Sequence, residues 1–321
     1  MDVKGVFAPL MLLGLWGYAL PIAADETRPN VLFIAVDDLR PEIHSFGHEA
    51  MVTPNLDRLA TEGVRFTQAY CNIATCGASR ATLMTSLRPT PDRFRNYLTR
   101  VDQDAPHVVS LPALFKQHGY TTLSNGKIYH HQDDDLDAWS EPPWRPENRS
   151  ISWAKPENQP IEKNGRRING PAFEAADMAD DIYPDYQICD RTLANLDQLA
   201  KDDTPFFLAC GFYRPHLPFV APQKYWDLYP EDQIPLAAND YFPRDLSRAF
   251  RYTWGELRSY RDIPKDGPVS AETARELVRG YRASVSFVDA QIGRLLDALE
   301  RLGLAEKTIV VLWGDHGWQL G

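Results

Sequence analysis

Cysteine is scarce. The chain carries four, Cys71, Cys76, Cys189 and Cys210, in 321 residues. That density excludes a disulfide framework, in which bridges stand in for a core. Cys210 closes the apolar run Phe206 to Cys210 and reads as a small buried hydrophobe. Cys71 and Cys76 lie close together, so a bridge between them stays open. Basic residues are also in deficit, 34 Lys and Arg against 44 Asp and Glu, a net charge of −10. This balance argues against a nucleic-acid binder that works by neutralising phosphates. An anion could still be held, but only in a locally basic pocket. Long apolar runs are missing too. The one from Val6 to Leu20 is interrupted by Pro9, Gly14 and Gly17 and is too short for a stable membrane span. With Lys4 before it and Ala23 and Ala24 behind it, it has the pattern of a secretory signal peptide over residues 1–24, although Ile22 sits where a small residue is preferred. Export to a periplasm, a lumen or the cell exterior is expected. Internal repeats and low-complexity tracts are absent.

Hydrophobic residues make up 44% of the chain, enough for a sizeable core. Three apolar runs, Val31 to Val36, Phe206 to Phe212 and Thr308 to Trp313, read as buried parallel strands. Helical patterns lie between them. One starts after Thr53 with Pro54 in first position and stops at Gly63. One starts at Ser110 and ends at Gly119. The longest covers about Ala271 to Leu302, with Leu277, Tyr281, Val285, Val288, Ile292, Leu295 and Leu299 at helical spacing. Strands alternating with helices predict a layered α/β domain with a mainly parallel sheet, here over 25–321. Residues 132–180 differ: a carboxylate run (Asp133, Asp134, Asp135, Asp137), many prolines and three tryptophans predict a long irregular excursion. Residues 221–268 are similarly loop-rich. The sequence stops just after a strand, so a truncated C-terminal part is expected.

Ligands of open α/β sheets collect beyond the carboxyl ends of the strands. The first strand ends in Asp37-Asp38, the last in Gly314-Asp315-His316-Gly317, and the middle one runs into Arg214-Pro215-His216. Adjacent carboxylates repel unless something positive neutralises them. Asp37, Asp38 and Asp315 offer hard oxygens, which suit calcium or magnesium better than zinc; His316 is a softer donor. Each pair alone could be a cap or a turn; their coincidence at three strand ends is what points to a site. Cys76-Gly77-Ala78-Ser79-Arg80 opens a further helix. A cysteine there feels the positive helix end, which favours an anionic species, and Arg80 one turn on can fork to an oxyanion. A buried cysteine before an ordinary helix accounts for the short motif equally well.

Taken together, Arg28 to Asp38 (Arg-Pro-Asn-Val-Leu-Phe-Ile-Ala-Val-Asp-Asp), Thr53 to Ala60, Phe66 and Cys76 to Arg80 resemble the type I, formylglycine-dependent sulfatases in order and spacing. Gly126 to His130, Gly211 to Phe219 and Gly314 to Gly321 are most similar to the iduronate-2-sulfatase group. The resemblance implies an alkaline-phosphatase-like sandwich with helices on both faces of the sheet. It implies that a formylglycine-generating enzyme oxidises Cys76 to formylglycine, whose hydrate attacks the sulfur of a sulfated saccharide. The hydrate's second hydroxyl then lets the intermediate collapse and release sulfate. One calcium ion would be held by Asp37, Asp38, Asp315, His316 and the modified Cys76. Arg80 and Lys127 would stabilise charge, His130 would take the proton during collapse, and His216 would contact the sulfate or the leaving oxygen. The sequence departs from the family pattern at Ala78, where proline is commoner, and at Thr85-Ser86-Leu87, where the expected arginine comes one place late as Arg88. A further sulfate-binding lysine and a small C-terminal sheet domain would lie beyond Gly321. Two other readings remain in view: a phosphoester or phosphonate hydrolase on the same fold, and an inactive truncated fragment that keeps calcium and an anion pocket.

Overall fold

The structure, a computed structural model, describes residues 28–147, 153–239, 241, 243–247 and 255–320. The expected signal peptide lies outside them. Among the described residues no helix is long and apolar enough to cross a membrane.

Four strands form the central sheet: β1 (Asn30–Val36), β2 (Thr121–Gly126), β6 (Phe206–Phe212) and β8 (Thr308–Gly314). Their order is β2-β6-β1-β8 and every pairing is parallel. Side chains alternate along a strand, so β1 feeds two cores. Leu32, Ile34 and Val36 face one cluster together with Leu208, Cys210 and Phe212. Val31, Phe33 and Ala35 face the other with Phe207 and Ala209. The first core is closed by α1 (Pro54–Glu62), α5 (Pro184–Leu199) and α7 (Ala271–Arg301); the second by α2 (Cys76–Thr85), α3 (Val101–Asp104) and α4 (Leu111–Gln117). The result is the expected α/β/α sandwich.

The helix boundaries follow local chemistry. Ser110 caps α4 by accepting from the Ala113 amide at 3.3 Å, and Ser270 caps α7 by accepting from Thr273 at 3.1 Å. The α1 cap comes from across the fold. Asp289, on α7, accepts the amides of Asn55 (3.1 Å) and Leu56 (2.7 Å), orphan donors that α1 cannot satisfy itself.

Three stretches differ from their prediction. β8 is a parallel strand as expected but is not buried: at the edge of the sheet it leaves Ile309 and Val311 exposed. β2 was not visible as a strand, because Thr121 to Gly126 lacks an apolar run. Its polar side chains are buried but satisfied: Thr122 Oγ1 donates to the Ala138 carbonyl at 2.9 Å, and Asn125 Nδ2 to Asn195 Oδ1 at 2.8 Å. The excursion over 132–180 is also more ordered than expected. Its start runs along the outer edge of β2, where Ser140 N donates to Thr122 O (2.8 Å), Trp144 N to Ser124 O (2.9 Å) and Gly126 N to Trp144 O (2.8 Å). Next come a hairpin of β3 (Ile161–Lys163) and β4 (Arg166–Ile168) and a strand, β5 (Phe173–Ala176). Asn164 and Gly165, both at positive φ, make the two-residue hairpin turn. At the entry to the second loop-rich stretch, β7 (Phe219–Pro222) pairs in parallel with β5, and α6 (Gln223–Trp226) follows.

Candidate active site at the strand ends

All the predicted site residues lie at the carboxyl end of the sheet. Asp37 and Asp38 follow β1, Lys127 follows β2, Asp315 and His316 follow β8, and His216 lies just past β6. Cys76 and Arg80 come from the first turns of α2, whose N-terminus points at the same place. Gly126 and Gly211 are paired in register on β2 and β6. A Cβ on Gly211 would stand 2.2 Å from the Lys127 carbonyl, and one on Gly126 2.1 Å from the Gly211 carbonyl. Only glycine lets the two strands end so close together, and that closeness turns Lys127 into the site.

Arg80 is fully buried and ties the elements together. Its Nε donates to Asp315 Oδ2 and its Nη2 to Asp37 Oδ1, each at 2.9 Å. Its Nη1 donates to the carbonyls of Lys127 and Ile128. The guanidinium fork is thus spent on carboxylates and carbonyls; it is not free to face an oxyanion alone, as the sequence reading had it. Lys127 Nζ donates to Asp37 Oδ2. Burial alone would raise Asp37, but Lys127 and Arg80 outweigh it and hold that carboxyl well below the usual range. Asp315 Oδ1 accepts the amides of Asp38 (2.9 Å) and His316 (3.1 Å).

Asp38 has no such support. Both its carboxylate oxygens are buried without a hydrogen-bond donor. Burial, and next to it the Asp37 charge, push its carboxyl well above the usual range. Its backbone is at φ 60°, and its carbonyl accepts the Tyr281 hydroxyl at 2.8 Å. Facing Asp38 Oδ1 at 3.2 Å is Nε2 of His316, which is also 3.1 Å from Cys76 Sγ. His316 Nδ1 lies 2.8 Å from the Gly317 carbonyl, which can only accept. Nδ1 is therefore the donor to that carbonyl, which aims Nε2 at the Asp38 carboxylate. Of these two facing atoms only Asp38 Oδ1 lacks a donor, since Nε2 has the Cys76 thiol beside it; a cation between them would satisfy both.

The residues fit a hard divalent ion. Asp37, Asp38 and Asp315 bring an oxygen each within 4.8 Å of one another; so do the ligand atoms of Asp38, Cys76 and His316, and of Asp37, Cys76 and His216. His216 was not among the predicted ligands. Its Nδ1 donates to the Leu217 carbonyl at 2.6 Å, which leaves Nε2 for the site, 3.3 Å from Glu256 Oε1.

Cys76 itself is buried, and burial followed by the Asp37 charge pushes its thiol well above the ordinary value. This corrects the expectation of an anionic cysteine: the helix end does not offset desolvation beside carboxylates. Cys71 is exposed and Cys76 buried, and the structure has no bridge between them. His130 is pulled down to about 3 by burial and then by Lys127, so its ring is neutral near pH 7; its Nδ1 is buried without a partner.

Three supporting residues escaped the sequence reading. Ser79 Oγ donates to the Asp315 carbonyl and Tyr281 holds the Asp38 turn. Asp185, buried on α5, accepts the amides of Tyr213 (2.6 Å) and Arg214 (3.3 Å) on the way to His216. Only Ser79, inside the Cys76 motif, carried a signal that could have been noticed.

Fold and site together define an α/β protein of the alkaline-phosphatase-like class, with a buried acidic centre at the ends of parallel strands. The chain belongs to the sulfatase family, whose family model matches residues 29–321. It is 34% identical over 304 residues to the iduronate 2-sulfatase of Homo sapiens, covering 91% of this chain and 55% of that protein. It is 36% identical to a sulfatase of Formosa agariphila, covering 94% and 61%. The chain thus spans a little over half the length of these relatives. The resemblance to the iduronate-2-sulfatase group is borne out. Among solved structures, the phosphonate monoester hydrolase of Agrobacterium radiobacter matches with a TM-score of 0.67 at 24% identity, covering 92% of this chain and 65% of that one. A structure in complex with D-glucosamine-2-N,6-O-disulfate matches with a TM-score of 0.63 at 23% identity, covering 91% and 66%. Both share the fold.

Proposed function

We propose that residues 25–321 carry the catalytic centre of a sulfuric ester hydrolase that removes sulfate from a sulfated saccharide. The observation that carries this reading is the uneven charge of the centre. Three buried carboxylates, Asp37, Asp38 and Asp315, face two buried cations, Arg80 and Lys127, and both oxygens of Asp38 are left without a donor. A buried charge without a partner is strongly unfavourable. A calcium ion held by Asp37, Asp38, Asp315 and His316, with the side chain at 76, would remove the deficit and leave the centre positive, as an anionic ester needs. When bound, the ion would polarise the nucleophile and draw charge from the ester oxygens.

The nucleophile is the second part of the proposal. A thiol raised by burial is a poor nucleophile, whereas formylglycine at position 76, made by a formylglycine-generating enzyme, supplies a hydrated aldehyde at the same place. Around it, Lys127 holds Asp37 ionised and presents its ammonium at the centre. Arg80 fixes Asp37 and Asp315 at once. His130, neutral and with Nδ1 unpartnered, is placed to take up a proton, against the pull of burial and Lys127 that otherwise keeps its ring uncharged. His216, fixed through Nδ1 by the Leu217 carbonyl, presents Nε2 to the sulfate or the leaving oxygen. The N-terminal pattern over 1–24 fits export of such a protein.

Mass spectrometry of the peptide spanning Cys76, from protein made in its native host, tests the reading. The expected mass is that of the aldehyde or its hydrate, with Cys76→Ala folded but without turnover of a sulfate ester. An unmodified thiol together with undiminished activity of the alanine variant would sink it. The likeness in fold to a phosphonate monoester hydrolase favours one second reading, a phosphonate or phosphoester hydrolase. Sulfate, phosphate and phosphonate esters assayed side by side separate the two.

A further inference from the structure

The loop after β2 carries Lys127 and His130, and its backbone has an unusual set of partners. The carbonyl of Lys127 accepts from Arg80 Nη1, as does that of Ile128 at 2.9 Å. The carbonyl of Gly126 accepts from Arg145 Nε at 3.2 Å, that of Tyr129 from Arg145 Nη2 at 2.6 Å, and that of His130 from Arg145 Nη1 at 3.3 Å. Two guanidiniums thus take five consecutive carbonyls, from 126 to 130. One of them is Arg80 of the candidate centre. The other, Arg145, comes from the excursion after β2 and has no role in the reading above.

Arg145 is delivered by backbone pairing. Trp144, its neighbour, donates to Ser124 O and accepts from Gly126 N at the outer edge of β2, which sets Arg145 level with the end of the strand. From there a planar fork reaches carbonyls on both sides of the turn, which a flexible single-point ammonium cannot do. The loop has other anchors as well: Lys127 N donates to the Gly211 carbonyl at 2.8 Å, Ile128 and Tyr129 are buried in the second core, and the Tyr129 hydroxyl donates to Asp135 Oδ2 at 2.6 Å; none of these takes up its carbonyls. His130 stacks edge-on against Tyr97 (5.8 Å) and His131 (5.0 Å), and its Nδ1 has no partner. An unregular backbone whose carbonyls are all taken by rigid donors is held in one conformation.

We propose that Arg145 is a positioning residue that clamps the 126–130 loop from outside while Arg80 clamps it from inside, so that Lys127 and His130 are presented to the centre in fixed register. The clamp itself is a statement about the loop; its consequence for turnover rests on the hydrolase reading. A displacement of about 1 Å in a reacting group can cost on the order of a hundred-fold in rate, so loss of one clamp is expected to appear mainly in kcat.

The test uses the full chain with Arg145→Gln and Arg145→Lys. Amide hydrogen exchange is read first, because it does not depend on activity. Peptides covering 126–131 are expected to exchange at least about ten-fold faster in Arg145→Gln, and to an intermediate degree in Arg145→Lys, while α7 peptides keep their protection. Unchanged exchange over 126–131 overturns the clamp whatever the activity. Loss of protection throughout the chain in both variants assigns Arg145 to the core and overturns it as well. With a sulfate ester, kcat is expected to fall about ten- to a hundred-fold with KM within about two-fold and partial recovery in Arg145→Lys. A loosened loop with unchanged kcat would overturn the positioning role. A wild-type chain that turns over no ester counts against the hydrolase reading and leaves the exchange result to decide the clamp.

Discussion

Asp37 and Asp38 are neighbours in sequence, equally buried, and opposite in character. Asp37 has a cation on each oxygen, Arg80 on Oδ1 and Lys127 on Oδ2, and its carboxyl lies well below the usual range. Asp38 has no donor on either oxygen and lies well above it. Burial acts on both in the same direction, so it cannot be the cause of the difference. The cause is direction: the β1 end sends one side chain toward α2 and the β2 loop, and the other toward β8, where the facing atom is Nε2 of His316. One carboxylate is neutralised by the protein. The other has no hydrogen-bond donor among the described residues, which is what the proposed calcium ion would answer.

The comparison can be broken at several points. The largest effect is expected from Arg80→Ala, which strips a cation from Asp37 and Asp315 together and leaves buried charge exposed to the core. Unfolding in urea should reveal a loss of about 3–5 kcal/mol; a loss under about 1 kcal/mol would mean that water already reaches the cluster. Asp38→Asn should do the reverse for the ion-free protein, leaving stability unchanged or slightly higher. It should also abolish the stabilisation by calcium, which for the wild type is about 2.7 kcal/mol at a hundred-fold excess over Kd. Thermal melts with EDTA and with calcium read both; an equal calcium shift in the two proteins would place the ion elsewhere. Asp289 calibrates the pair, since it is a buried carboxylate served by amides alone. Burial lifts it to about 6 although Leu56 and Asn55 pull the other way. A raised value means that its contribution to stability is full below the unfolded pKa and is lost as pH rises through about 6. Asp289→Asn removes that slope, so the variant should gain about 2 kcal/mol on the wild type between pH 4 and 7.5 in denaturant titrations. A constant difference across that range would refute the assignment. The smallest effect is reserved for Cys71→Ser: an exposed, unbridged thiol should change stability by less than about 0.5 kcal/mol.

Much of the scaffold could be read before any coordinates. β1 and β6 are apolar runs buried on both faces, and such runs have few alternatives; β8 reads as a strand from the same kind of run but lies half-exposed at the sheet edge. The helices at Pro54, Ser110 and Ala271 carry their own start signals, two of them used as capping side chains. β2 could not be read, because its buried polar side chains are satisfied by hydrogen bonds they donate to the Ala138 carbonyl and to Asn195 Oδ1, partners that periodicity does not reveal. The first stretch of 132–180 was misjudged for a related reason. Its order comes from pairing with the edge of β2, and an unseen strand cannot predict its neighbour. The candidate site was legible as a set of residue types at strand ends; the thiol state of Cys76 was not, since a helix-end rule knows nothing of three carboxylates arriving from other strands.

The sequence by itself determined the apolar strands β1, β6 and β8, the helices that start at Pro54, Ser110 and Ala271, and that Asp37, Asp38, Cys76 and Asp315 sit at element ends, because apolar periodicity and capping are local properties of the chain. Only the tertiary structure decided which carboxylate is paired and which is not. That depends on where Arg80, Lys127 and His316 arrive from three separate elements, and charge interactions in a buried site vary over a few ångströms.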